Sequence, residues 1–367
     1  MPEALSDEAR RWQASAESFA NDVLAPLTAD APADRARAID ASQQIGLFKL
    51  TQPVSHGGSE ASQLTLCTVR DTLSGHNAPH ADAVLGPGPG VLASVVEPLR
   101  SRFLEPLLKG QLRGGFGFTE PDDAPHFTQA VLEGDSYRVT GQKSYVTGGG
   151  SADFVNVLVH IDKQPALILI ETTADGVERS AVFQSIDGSR HAAFTFNDVK
   201  VPASHVIAAP GAGMPKALGQ IGDTRLAIAA TCVGLCRWVY AEMTSHLAGK
   251  TRDGTARGDD PVARLRLGEC YLRAFAARSM LYRTARLADV GENVVNQAMA
   301  CKVFAVDALT FIVDEAIQLV GGSAVIEDHP LAQLFRRVRS LRLAEGATDR
   351  LLQNIARGRL ELNKGHI

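Results

Sequence analysis

Tyr137-Arg138-Val139-Thr140-Gly141-Gln142-Lys143-Ser144-Tyr145-Val146-Thr147-Gly148 is strand-forming sequence in a chain that otherwise reads as helix. Its β-branched and aromatic residues and closing glycine are those of a strand and its following turn. Around it the period turns from helical to alternating at Gly114. Further short strands are expected at 154–161, 166–171, 180–183 and 193–199, which together make a compact antiparallel β domain. After Pro202 long apolar patterns run over about 214–247, 261–289, 294–320 and 331–365 with short breaks, the loop economy of a helix bundle. Upstream, Trp12, Phe19, Val23 and Leu27 recur at helical spacing, and helical patches follow at 36–45, 61–73 and 92–108. Gly57-Gly58 and Gly86-Pro87-Gly88-Pro89-Gly90 punctuate this part. The second run has prolines interleaved and no preceding strand, so it reads as a loop and not as a dinucleotide-binding turn. The expected fold is mainly α with a central β domain: an N-terminal helical domain over 1–113, a middle β domain over 114–207 and a C-terminal four-helix bundle over 208–367.

Apolar residues make up 45% of the 367 and charged ones 21%, a globular balance for a chain long enough for two or three domains. The net charge of −4 gives no general attraction to nucleic acid or anionic lipid. Cys67, Cys232, Cys236, Cys270 and Cys301 are scattered, with no companions at zinc-site spacing, and read as buried reduced thiols; no metal site is expected. The start, Met1-Pro2-Glu3-Ala4, lacks a basic or apolar leader, and no apolar stretch reads as long enough to span a bilayer. A cytoplasmic protein is expected.

Four clusters carry the chemistry. Phe116-Gly117-Phe118-Thr119-Glu120-Pro121 enters the β domain, and Gly141 to Gly148 follows in a strand. Gln318-Leu319-Val320-Gly321-Gly322 ends a bundle helix. Leu343-Ala344-Glu345-Gly346-Ala347-Thr348 lies where one amphipathic pattern stops and the next begins. A carboxylate followed at once by glycine at a helix junction can reach into a cavity instead of lying along a helix. Singly, each cluster reads as a turn, a strand end or a helix cap. In this order, inside a helix, β, helix chain, they resemble the acyl-CoA dehydrogenase family of flavoproteins over nearly the whole chain. Gly134-Asp135-Ser136-Tyr137, Phe196-Asn197-Asp198-Val199-Lys200-Val201-Pro202, Asp223-Thr224-Arg225, His329-Pro330 and Phe335-Arg336 extend the likeness.

The resemblance implies FAD as cofactor and an acyl-CoA or other acyl thioester as substrate, desaturated to the 2-enoyl thioester. Glu345 falls on the position of the base that removes the α proton, opposite a flavin that takes the hydride. The Glu345 N–H is implied as a donor to the thioester carbonyl, with Thr224, Arg225 and Gly346 beside the substrate. Thr224 stands where another branch of the family carries its base, which leaves Glu345 as the one base. Phe118, Thr119, Tyr145 and Thr147 match positions lining the flavin ring, with Tyr145 in place of a common Trp. Ala347 is cofactor-facing, where relatives carry Thr. Gln318, Gly321 and Gly322 match the segment that meets the adenine-pyrophosphate portion of a neighbouring subunit's FAD, which implies a homodimer or homotetramer. An electron-transferring flavoprotein is the implied electron acceptor.

The chain also departs from the family pattern. Asp122-Asp123-Ala124-Pro125-His126 replaces a Gly-Ser-Asp turn that touches the thioester carrier. Lys250-Thr251-Arg252-Asp253-Gly254 stands for an Arg-x-x-Phe-Gly element, with Lys250 and Arg252 left to reach a phosphate and Asp253 in place of the stacking Phe. Arg336-Arg337 replaces an Arg-Asp pair. These departures keep two alternatives open: a partner subunit of a heteromeric dehydrogenase with half a cofactor site, and a flavin-dependent oxidase or monooxygenase on the same fold.

Overall fold

The computed structural model describes residues 5–29 and 31–365; the expectation for the first four residues lies outside them. The helices are α1 (Asp7–Phe19), α2 (Pro32–Ile45), α3 (Gln63–Ser74), α4 (Glu105–Leu108), α5 (Gly213–Ala248), α6 (Pro261–Asp289), α7 (Val295–Val320), α8 (Pro330–Leu341) and α9 (Thr348–Leu362). The strands are β1 (Gly114–Gly117), β2 (Gln129–Glu133), β3 (Ser136–Thr147), β4 (Phe154–Ile161), β5 (Gln164–Glu171), β6 (Val177–Arg179), β7 (Phe183–Gln184), β8 (Arg190–Pro202) and β9 (Val206–Ala208). N-terminal helices, a central sheet and a C-terminal helical domain thus follow one another as expected. By packing, the chain divides into two compact units: a sheet unit of Gln52–Gly58 and Pro87–Ile221, and a helical unit holding the remainder.

In the sheet unit the strand order is β6-β8-β3-β2-β4-β5-β9, with β1 beside β4 and β7 beside β8. Most pairs are antiparallel, but β1 runs parallel to β4 in the register Gly114↔Phe154 to Gly117↔Val157, a feature the antiparallel expectation did not contain. β4 is buried along almost its whole length because its alternate residues feed two cores. Val155, Val157 and Val159 join Phe194 and Phe196 on one face. Phe154 and Leu158 join Phe103, Leu104 and Leu108 on the other. Of the patch expected to be helical over 92–108, residues 99–108 form one unbroken helical stretch, wide-turned over Arg100–Leu104 and continuing as α4, whereas 93–98 are not helical. Pro98 stands just before this stretch, and Pro106, which has no backbone donor to give, sits in the first turn of α4 next to the wide turn.

In the helical unit the boundaries follow local chemistry. Ser6 and Ser62 accept from the Ala9 and Thr65 N–H groups at the starts of α1 and α3. Asp260 caps α6 ahead of Pro261, and His329 caps α8 ahead of Pro330. Leu226, Val233 and Val239 of α5, Leu281 of α6, and Leu309 and Ile312 of α7 are buried in one core with Leu5 and Leu64. By length and composition α5 is apolar enough to cross a membrane, which corrects the expectation that no stretch was. More than half of that apolar window is buried, and its side chains supply the bundle core. All five cysteines are free and buried, as expected.

Candidate active site

α8 ends at Leu341 and α9 begins at Thr348, so Glu345 lies in the tight connection between them, as its sequence implied. Glu345 adopts a left-handed backbone (φ 53°) and Gly346 follows at φ 109°. A Cβ on Gly346 would come within 2.8 Å of Leu351 Cδ2, so both conformation and space require glycine. Two cations from other helices hold this turn by its main chain. Arg225 Nε of α5 donates to the Glu345 carbonyl at 3.0 Å, and Lys302 Nζ of α7 donates to the Gly346 carbonyl at 3.0 Å. The Thr348 N–H donates to the Arg342 carbonyl at 3.0 Å and closes the connection. Ala347 takes the cap position of α9 without a side-chain cap, and Thr224 is half-buried next to Arg225.

Neither cation pairs with the Glu345 carboxylate, and the Glu345 N–H donates to nothing among the described residues. The group is half-buried. Burial pushes its carboxyl above the ordinary value, and the charges of Arg225 and Lys302 restrain that rise. Burial likewise pushes the Lys302 ammonium down to about 8, against the opposing pull of Cys232, Glu345 and Asp307. A base raised in this way, with a main-chain donor beside it, suits proton removal next to a carbonyl.

Lys302 escaped the sequence reading. A signal for it was there: Ala298, Ala305, Leu309, Ile312 and Ala316 form the buried stripe of α7, and Lys302 stands in that stripe, fully buried. A lysine at an apolar-face position needs a partner, and the partner here is a carbonyl near Glu345.

The sheet unit brings together the residues expected at the flavin ring. Lys143 of β3, fully buried, pairs with Glu120 at 2.7 Å, and Glu120 also accepts the Thr128 N–H at 2.8 Å. The Ser144 N–H donates to the Thr119 carbonyl at 2.9 Å. The Thr119-Glu120-Pro121 segment is thereby fastened to the strand that carries Tyr145 and Thr147. Tyr145 is exposed at φ 53° with its ring edge-on to Phe183, 5.5 Å between centroids. The Thr147 hydroxyl lies 3.3 Å from His191 Nδ1. Phe118 and Thr119 line a cavity of about 650 Å³ with Lys143, His126, His160 and Met214.

The remaining expected cofactor residues gather within the helical unit. Gln318 closes α7 and Gly321 caps it at φ 84°, all exposed with Gly322. His246, at the end of α5, is hydrogen-bonded to the Leu319 backbone, which sets the following loop beside the α7 terminus. That loop carries Lys250, bridged to Ala256, and Arg252, both exposed. The Asp253 carboxylate accepts from the Thr251 hydroxyl and from the Thr255 N–H at 3.1 Å, so it is tied within its own turn.

The chain is similar in sequence and in fold to known proteins. Residues 211–360 match the profile of the acyl-CoA dehydrogenase C-terminal domain. The chain is 26% identical over 319 residues to cyclohexane-1-carbonyl-CoA dehydrogenase of Geobacter metallireducens, a match covering 83% of this chain and 84% of that one. It is 25% identical over 322 residues to the short-chain-specific acyl-CoA dehydrogenase of Clostridium acetobutylicum, covering 83% and 85%. In fold it superposes on glutaryl-CoA dehydrogenase from Mycobacterium smegmatis with a TM-score of 0.86 at 20% identity, over 99% and 97% of the two chains. Sequence and fold group the chain with flavoprotein oxidoreductases. Over residues 211–360 the chain matches the acyl-CoA dehydrogenase family, whose members depend on FAD.

Proposed function

We propose that this protein is an FAD-dependent acyl-CoA dehydrogenase in which Glu345 removes the α proton of an acyl thioester to give the 2-enoyl thioester. The observation that carries the reading is the Glu345 turn: its main chain is fixed by Arg225 and Lys302 while its carboxylate is left unpaired, with burial raising its proton affinity. The Glu345 N–H, which has no acceptor among the described residues, is a donor suited to the thioester carbonyl. Gly346 leaves room beside the base, Arg225 flanks it, and Thr224, next to Arg225 on α5, is proposed to face the substrate.

The residues fit the cofactor. A Cβ on Gly322 would meet nothing within 4 Å, so packing within this chain does not demand glycine there; close approach by a phosphate-bearing group does account for it. Bound FAD supplies the hydride acceptor. Phe118, Thr119, Tyr145 and Thr147 are proposed to line its ring. Gln318, Gly321, Gly322, Lys250 and Arg252 are proposed to meet the adenine-pyrophosphate end of a partner subunit's cofactor, which makes the working form at least a dimer. An electron-transferring flavoprotein is the proposed acceptor, and five unpaired buried thiols suit a reducing, cytoplasmic compartment.

The test is the visible spectrum of the purified chain, followed by anaerobic bleaching on adding a panel of acyl-CoA thioesters, with Glu345→Gln alongside. Bleaching that the variant abolishes supports the proposal. Asp253 favours a second reading, a half-site subunit of a heteromer: its carboxylate stands where the family resemblance implies a stacking Phe. A colourless protein that takes up no added FAD would favour that reading.

A further inference from the structure

Lys302 is fully buried, and its ammonium carries three donors but uses one, on the neutral carbonyl of Gly346. A neutral amide or hydroxyl would make that bond with less desolvation. The charge therefore needs another account. The groups whose charges act on Lys302 are Cys232 and Arg225 of α5, Asp307 on its own helix, and Glu345 on the α8–α9 connection. Asp307 is engaged by Arg342, at 3.2 Å. Cys232 is a buried thiol, driven by burial to about 12 and therefore neutral at physiological pH. The anion left without an ion-pair partner in this set is Glu345.

We propose that Lys302 is a positioning residue for Glu345: its ammonium holds the Gly346 carbonyl, fixing the turn that presents the base, and its charge keeps the neighbouring carboxylate ionised. This rests on the reading of Glu345 as the base. Arg225 does the equivalent work one peptide earlier, so the base is flanked by two main-chain anchors that are both cationic and both leave its oxygens free. A carboxylate in direct ion pairing would be a poor base, whereas one buried without nearby positive charge would stay protonated at neutral pH. Placing the cations on the adjacent carbonyls avoids both.

The coupling is reciprocal, and that allows a test without cofactor or turnover. The chain has nine lysines, so [13Cε]lysine labelling gives a tractable NMR titration, with the Lys302 signal assigned by its absence in Lys302→Met. Replacing Glu345 by Gln removes an anion that favours the Lys302 ammonium, so its midpoint should fall by about half a pH unit or more, threefold in proton affinity. An unchanged midpoint would overturn the proposal even if the enzyme bleaches normally. In the active protein, Lys302→Met should lower the alkaline plateau of kcat/KM, because the turn loses an anchor, and in addition move the acid limb upward by about half a unit or more. A uniform loss at every pH would mark Lys302 as structural and also overturn the proposal. If Lys302→Met does not fold, the Lys302 signal is assigned with Lys302→Arg and the Glu345→Gln titration decides alone. Failure of any thioester to bleach the flavin, with the coupling intact, would count against the dehydrogenase reading instead.

Discussion

Glu345 holds a left-handed backbone conformation, which for a side chain longer than Asn or Asp is uncommon and costs of order 1–3 kcal/mol. A half-buried and a fully buried donor on consecutive carbonyls hold it there. If Glu345 is the base, Glu345→Gln should lower kcat by about 10²- to 10⁴-fold, read by single-turnover bleaching. Its effect on stability should have the opposite sign. The folded-state proton affinity of Glu345 is raised, so its contribution to stability is present below the unfolded value near ~4.3 and is lost as pH rises through the higher folded one. At neutral pH the ionised group is a burden, and Glu345→Gln should melt at the same temperature as the wild type or higher. A lower Tm would contradict the burial argument. The next residue behaves differently. Gly346→Ala puts a methyl within 2.8 Å of Leu351 at φ 109°, and urea unfolding should show a loss of about 1–3 kcal/mol together with reduced kcat.

Among the elements, β3 carries most of the sheet unit's polar fastening. Lys143 has its ammonium inside the sheet, held by Glu120 and, at 3.4 Å, by the Phe118 carbonyl. The two partners pull in different senses. For Glu120, burial raises the carboxyl, but the bonds from Lys143 and the Thr128 N–H and the Lys143 charge outweigh it and hold it below its ordinary range. For Lys143, burial dominates and lowers the ammonium despite Glu120. Since Lys143 is the more deeply buried, its desolvation is the larger cost, and removing its partner should be severe. Glu120→Gln is expected to cost about 3–5 kcal/mol in denaturant unfolding, whereas Lys143→Met with Glu120→Gln together should recover part of it. Because the Glu120 affinity is depressed, its stabilisation is complete above the unfolded value and is lost as pH falls through the folded one, so the wild type and Glu120→Gln should converge in stability under acid. This ion pair also shows what the sequence could and could not reveal. The ends of α6 were legible because Asp260-Pro261 and a long apolar period mark them. Thr119-Glu120-Pro121 and Gln142-Lys143 were legible as motifs, but not that they meet, since register across strands leaves no mark in either segment. The parallel β1–β4 pairing and the partner of Lys302 were hidden for the same reason, although the place of Lys302 in the apolar stripe of α7 was legible.

At the scale of the whole molecule, the question is how helices from the two ends of the chain come to share one core. In the helical unit the tie is Asp71 of α3, which is fully buried. Its Oδ1 accepts from Arg237 of α5 at 2.7 Å, and its Oδ2 accepts from Arg278 of α6 at 3.1 Å and from the Tyr282 hydroxyl at 2.8 Å. Gly234 lies one turn before Arg237, and a Cβ there would strike the Asp71 carbonyl at 2.4 Å, so α3 and α5 touch backbone to backbone at this point. The arginines converge on one anion whose desolvation they share, and no apolar substitute for Asp71 alone would leave them satisfied. Asp71→Asn should therefore cost about 3 kcal/mol, less than a fully buried pair because both arginines keep some contact with water. The loss should also have a location. Native-state hydrogen exchange in the variant is expected to speed up first in α3 and in the facing turns of α5 and α6, while the β3, β4 and β5 amides keep their protection. Equal acceleration in the strands would show that Asp71 supports the chain as a single cooperative body and not the helical unit alone.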